Sequence, residues 1–226
     1  MTQSDIRRTS TSYRAPNLVI GLRIALAFVA IGFYSLPFPF PAAALVVTLV
    51  VISLDAVDGM VARRLGVASD VGAVLDITAD RIVENIFWIY FAVVHQVGAW
   101  VPLVIMTRGF AVDAMRGMAL ARGKTAFGDK TMMRSPITRF LVASRFMRNL
   151  YGFAKVAAFL SLGALILVEQ AGVGAGAVFT ISSDAYLALH RSASFFVLTT
   201  VVLCLLRGLP VLWDGRRYLF DKALST

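Results

Sequence analysis

Asp55-Ala-Val-Asp58-Gly59-Met-Val-Ala62-Arg63, eight further residues, and Gly72-Ala-Val-Leu-Asp76-Ile-Thr-Ala-Asp80 place four carboxylates and two glycines in otherwise nearly continuous apolar sequence. A helix turns once in about 3.6 residues, so Asp55 and Asp58 share a face of the first segment. Gly72, Asp76 and Asp80 share a face of the next. Two successive helices thus each offer a pair of carboxylates.

An aspartate at the centre of a membrane helix costs roughly 2.5 to 3.5 kcal/mol, so four oppose insertion by about 10 kcal/mol unless something neutralises them. Acidic oxygen ligands suit hard cations such as Mg2+ or Mn2+, whereas Zn2+ favours His and Cys. Neither His nor Cys occurs in this stretch. Two such ions roughly 3.5 to 4 Å apart would share the site, an arrangement that serves phosphoryl transfer.

Composition sets the solvent. Of 226 residues, 58% are hydrophobic and 15% charged, against about 25% charged in a soluble domain. The expected class is all-α: one polytopic membrane domain over residues 1–226 with six transmembrane helices. The net charge of +9 falls mainly between and beside the apolar runs, which argues for membrane topology and anionic headgroups and against nucleic acid. Cys204, the one cysteine, sits in an apolar run and forms no intrachain disulfide. From the polar N-terminus and the long first apolar run, with no convincing small-residue cleavage site, that run is expected to stay as a membrane span and not to be cleaved as a signal peptide.

The spans are expected at 17–36, 42–64, 70–94, from 100 to about 121, 150–168 and 187–212, with Pro37, Pro39 and Pro41 breaking the chain after the first. The connection over 122–148 holds Lys124, Lys130, Arg134, Arg139, Arg145 and Arg148 against Asp129 alone. It reads as the one long link. Arg7, Arg8, Arg14, Arg63, Arg64, that link, Arg216, Arg217 and Lys222 all fall on the side of the N-terminus, and the opposite loops hold little more than Arg191. Both termini and the Asp55 to Asp80 stretch therefore face the cytoplasm across a cell (inner) membrane. Trp88, Trp100 and Trp213 lie near expected span ends, as an aromatic belt would. Gly172, Gly174 and Gly176 lack nucleotide-loop spacing and read as a turn.

The pattern D-x2-D-G-x2-A-R-x8-G-x3-D-x3-D resembles, position for position, the signature of the CDP-alcohol phosphatidyltransferases, a family of integral membrane enzymes. The resemblance implies a site for two Mg2+ or Mn2+ ions that binds CDP-diacylglycerol, passes its phosphatidyl group to an alcohol and releases CMP. It makes Asp55, Asp58, Asp76 and Asp80 metal ligands and Asp80 also the general base. Gly59, Ala62, Arg63, Ser69 and Gly72 become contacts to the CDP-lipid. It also implies a homodimer. Packing of small residues is the competing account of the glycines, and ion pairing with Arg63, Arg64 and Arg81 that of the acids.

Basic residues within or beside the spans, namely Arg23, Arg81, Arg108, Arg116, Lys155 and Arg207, face a bundle cavity or snorkel. Arg108 and Arg116, eight positions apart, share nearly one face, and Lys155 joins them as a candidate pocket for an anionic acceptor, phosphate above all. Pro16-Asn17-Leu18 with Arg23, Arg108 with Met115-Arg116, and Gly152-Phe-Ala-Lys155 are similar to motifs of one branch of the family, the phosphatidylglycerophosphate synthases. That branch implies glycerol 3-phosphate as acceptor. Gly109 and Phe153 depart from its pattern on the acceptor side, which leaves inositol phosphate or another polar alcohol as the alternative. A cation- or proton-coupled transporter also places acids among helices, but it does not require Gly59, Ala62, Arg63 and Gly72 at these separations.

Overall fold

Helices make up all the regular structure in the described residues of the chain. The computed structural model describes backbone and side chains of residues 19–54, 75, 77–121, 123, 133, 135–172 and 181–216, and the helical backbone alone of residues 3–18, 55–65, 70–74 and 76. Seven helices lie in these ranges: α1 Gln3–Tyr34, α2 Phe40–Leu65, α3 Asp70–Val93, α4 Trp100–Ala121, α5 Pro136–Ala143, α6 Arg145–Ala171 and α7 Ser183–Gly215.

The helix ends follow from local chemistry. Ser35 closes α1 with its amide and hydroxyl both donated to the Ile31 carbonyl, at 3.1 and 3.0 Å. Pro37 and Pro39 then remove the donors that continuation would need, and Pro41 sits in the first turn of α2, where its missing N–H has no intrahelical partner to lose. At the other end of α3, His95 takes a left-handed backbone with φ 61°. Its amide bonds the Ala92 carbonyl at 3.1 Å and that of Gln96 bonds the Phe91 carbonyl at 2.9 Å. These two bonds make a Schellman cap with His95 where glycine is usual.

Two compact units result. The first takes Met1–Val97 with Phe159–His190, the second Gly98–Ala158 with Arg191–Thr226. In the first, α1 packs against both α2 and α3, and fully buried Ala27, Ala30 and Ala44 keep the contact surfaces small. Its core is aromatic: Phe159 lies 5.1 Å from Phe87, 6.0 Å from Phe91 and 4.9 Å from Trp88, centroid to centroid. Trp88 is thus a core residue, with none of its surface exposed. This corrects the aromatic-belt expectation for it, while Trp100 and Trp213 are exposed as a belt requires. In the second unit, Val112, Ala119, Met133, Val142 and Val211 form the core, with Met115, Met118 and Leu212 packed against them.

Polarity runs inside out. Arg23, Thr48, Glu84, Arg108, Thr200 and Arg207 are buried, while Phe28, Val46, Val93, Leu103, Phe110, Phe153, Phe195 and Leu198 are exposed. Water would penalise that surface, and hydrocarbon would not. α6 and α7 are long and apolar enough to cross a membrane, and Val19–Tyr34 and Phe40–Leu54 are shorter apolar stretches.

The expected limits of the second to fourth spans agree with helices α2 to α4 to within two residues. Two other expectations need correction. α1 begins well before residue 17, while its end at Tyr34 is within two residues of the expected limit. The link expected over 122–148 is not wholly a link, since it holds α5 and the first turn of α6. Ser135 starts α5 with a capping box, donating its amide to Thr138 Oγ1 at 3.2 Å and accepting from the Thr138 amide at 3.1 Å. So short a helix carries little hydropathy signal and depends on its cap and its packed face. Cys204 is a buried free thiol, as expected. Gly174 and Gly176 lie outside the described residues.

Candidate functional site

The first unit carries the acids. The backbones of α2 and α3 are helical through Asp55, Asp58, Asp76 and Asp80, so each pair lies at a spacing that puts both members on one helical face. The side chains of Asp55, Asp58, Gly59, Ala62, Arg63, Gly72 and Asp76, and Ser69 altogether, lie outside the described residues. Among the described residues no three acid, histidine or cysteine side chains gather as a metal site. The donor set itself, four carboxylates on two successive helices, has the hard-oxygen chemistry that Mg2+ or Mn2+ prefers.

Asp80 is the one acid of the four whose side chain is described. Arg23 of α1 places Nη2 2.9 Å from Asp80 Oδ1, with Arg23 only 3% exposed and Asp80 43% exposed. A guanidinium this deeply buried needs a counter-charge, and a charge-assisted hydrogen bond of this length supplies one. The open side of Asp80 keeps its carboxylate accessible. One position on, Arg81 Nη1 lies 3.6 Å from Oε2 of buried Glu84. The Arg23 contact spans 57 residues, and no local pattern announces it.

The second unit carries the basic group. Arg108 is buried on α4, and its Nε has no hydrogen-bond partner among the described residues. Its side chain lies across Gly208 of α7: a Cβ at Gly208 would stand 2.5 Å from Nε and 2.6 Å from Cγ. Next to that glycine, buried Arg207 holds its guanidinium carbon 5.5 Å from the centre of the Tyr151 ring. Lys155, one turn along α6 from Tyr151, places Nζ 5.8 Å from the same ring. The ring thus has two cations near it, each within reach of a cation–π contact. Arg116, two turns along α4 from Arg108, has its Nε buried.

Of the expected acceptor residues, Lys155 lies, like Arg207, within cation–π reach of Tyr151, and Arg108 lies against Gly208, next to Arg207. Arg207 and Tyr151 were not in the expected set. Arg207 stands out in the sequence for its charge inside the apolar run 187–212 but is not grouped there with the acceptor residues, and Tyr151 could have been found from its position four residues before Lys155.

Exposed apolar side chains, buried guanidiniums and acids paired by spacing on successive helices define, among the described residues, a helical protein of membrane type. The chain belongs to the CDP-alcohol phosphatidyltransferase family, whose model matches residues 13–204, a range that includes all four aspartates. This is a family of phosphotransferases acting on substituted phosphate groups. Two curated proteins named "Probable phosphatidylglycerophosphate synthase", from Mycobacterium tuberculosis strains CDC 1551 / Oshkosh and ATCC 25618 / H37Rv, are each 28% identical over 116 residues. The match covers 50% of this chain and 54% of theirs, so the chain spans about half the length of the curated relatives it matches.

Proposed function

We propose that this protein transfers the phosphatidyl group of CDP-diacylglycerol to glycerol 3-phosphate, releasing CMP. The observation that carries the reading is the complete eight-position pattern of four aspartates, two glycines, Ala62 and Arg63 on α2 and α3, inside the matched family region. The acceptor rests on the buried basic group of the second unit and on the name borne by the two mycobacterial relatives. In this reading one domain of six spans works as a homodimer in the cell membrane, with its termini and site towards the cytoplasm.

Asp55, Asp58, Asp76 and Asp80 would hold two Mg2+ or Mn2+ ions, which supply Lewis-acid stabilisation of pyrophosphate charge when bound. Gly59, Ala62 and Gly72 leave room for close approach of the nucleotide, and Arg63 and Ser69 contact it. Asp80 takes the proton of the acceptor hydroxyl as that oxygen bonds the phosphorus bearing the diacylglyceryl group. The bond from this phosphorus to the oxygen bridging it to CMP breaks, and CMP leaves with the electron pair. Arg23 meanwhile holds Asp80 through Oδ1. Arg108, Arg116 and Lys155 receive the acceptor's phosphate, which guanidinium matches bidentately.

The test supplies purified, lipid-reconstituted protein with labelled CDP-diacylglycerol, Mg2+ and separate candidate acceptors, and identifies lipid products by mass spectrometry. Phosphatidylglycerol phosphate, formed with stoichiometric CMP and stopped by a chelator, is the expected result. Turnover with inositol phosphate and none with glycerol 3-phosphate would overturn the acceptor. No metal-dependent CMP release with any acceptor would overturn the transferase reading.

A further inference from the structure

The basic segment between α4 and α6 has no part in the proposed chemistry, and its residues Pro136–Ala143 form α5. Thr138 Oγ1 donates to Asp214 Oδ2 at 3.0 Å, and Val142 is buried in the core of the second unit. That face is anchored. The opposite face is not covered: Ile137 is 70% exposed and Phe140 54%, and Phe146 in the first turn of α6 is 64% exposed. Arg139, Arg145 and Arg148, within two residues of Phe140 or Phe146 in sequence, are also exposed. Ser144 sets the corner between the two helices, ending α5 with an extended backbone and accepting from the Met147 amide at 3.3 Å. Apolar and cationic side chains are thus displayed together on a capped and anchored support.

We propose that α5 and the first turn of α6 form a docking surface for anionic phospholipid, with Ile137, Phe140 and Phe146 entering the acyl boundary and Arg139, Arg145 and Arg148 meeting phosphate headgroups. An amphipathic segment with large apolar residues on one side and arginines at its margin lies in the plane of the headgroup boundary. Anionic lipid supplies the charge complement. Within the same link the sequence carries Arg122, Lys124, Lys130 and Arg134 against Asp129 alone, so its net charge is of the same sign. A second copy of the chain is the poorer occupant, because a two-fold contact through this face would set three arginines against the same three. The inference rests on membrane residence and not on the transferase chemistry, and its test reads lipid contact instead of turnover.

The experiment places an environment-sensitive fluorophore at Phe140→Cys in a Cys204→Ala background and reconstitutes the full chain in phosphatidylcholine vesicles. Small equal amounts of phosphatidylglycerol or phosphatidylcholine, brominated near the top of the acyl chains, are then added as quenchers. The brominated phosphatidylglycerol should quench several-fold more per molecule, and raised salt should reduce that preference. Replacing Arg139, Arg145 and Arg148 with Gln should bring the ratio towards one, with each arginine contributing up to about five-fold. Equal quenching by both lipids in the arginine-containing protein would overturn the proposal. So would a label shielded from both lipids in step with dimer formation, which would assign the surface to a second copy.

Discussion

Arg23 of α1 and Asp80 of α3 meet at 2.9 Å, the guanidinium almost wholly buried and the carboxylate nearly half open. The asymmetry separates the two residues' roles. The arginine cannot recover solvation if its partner is lost, whereas the aspartate can turn to water or to a ligand on its open side. Such a pair fixes one carboxylate oxygen in place.

Asp80→Asn keeps the side-chain volume and an oxygen that can accept from Arg23, but the amide cannot take a proton. Phosphatidyl transfer should fall by about two to four orders of magnitude, with the folded protein still recovered in detergent. Labelled CDP-diacylglycerol turnover and a thermal melt of the same preparation check both halves. Turnover at the unsubstituted rate would remove Asp80 as the base, and loss of the fold would make the pair structural.

What the sequence shows depends on whether a signal is local. The paired acids are local: their spacings alone put them on helix faces, and the helices at Phe40–Leu65 and Asp70–Val93 are there to carry them. The breaks at Pro37 and His95 are local as well. By contrast, the Arg23–Asp80 pair depends on how α1 packs, and Tyr151 becomes a platform for two cations only because α6 and α7 approach each other within the second unit. Trp88 shows the same limit. Composition places a tryptophan near a span end in the interface, whereas packing against Phe159 places it in the core.

Arg116→Ala should raise the KM for the acceptor more than the KM for CDP-diacylglycerol, because the substitution removes a cation from the proposed phosphate pocket and leaves the acids untouched. Initial rates with each substrate varied in turn measure the split. Equal effects on the two constants would make Arg116 a structural residue.

Gly208→Ala tests the pocket without removing a charge. The added methyl would come within 2.5 Å of Arg108 Nε and 2.6 Å of its Cγ, so the arginine must leave its present rotamer. The expected result is a several-fold rise in acceptor KM with the CDP-lipid KM nearly unchanged. An unchanged acceptor KM would show that this position of Arg108 does not matter to binding.

His95→Gly should stabilise the protein. His95 holds φ at 61°, a region that costs a residue with a Cβ about 1 kcal/mol or more and costs glycine almost nothing. Glycine also gives up more unfolded-chain entropy, so the net gain should be about 0.5 to 1 kcal/mol. A rise in melting temperature checks this, and a fall would mean that the imidazole makes a contact worth more than the backbone relief.

Gly163 on α6 is where a side chain would cost most in the first unit. A Cβ there would overlap the Tyr34 hydroxyl, lie 2.8 Å from Tyr34 Cζ and stand 2.9 Å from Leu45 Cδ2. Tyr34 cannot easily give way, since it is 1% exposed and its hydroxyl is 3.3 Å from Thr48 Oγ1. Overpacking of this kind costs about 1 to 3 kcal/mol, so Gly163→Ala should lower the melting temperature clearly. Tyr34→Phe removes the overlapping oxygen, and in that background the same glycine substitution should cost less. Thermal melts of the two single variants and the double variant give the coupling between the sites. Additive losses would mean that α6 shifts as a whole instead of pressing on the ring, and would remove Tyr34 as the residue that requires glycine at this position.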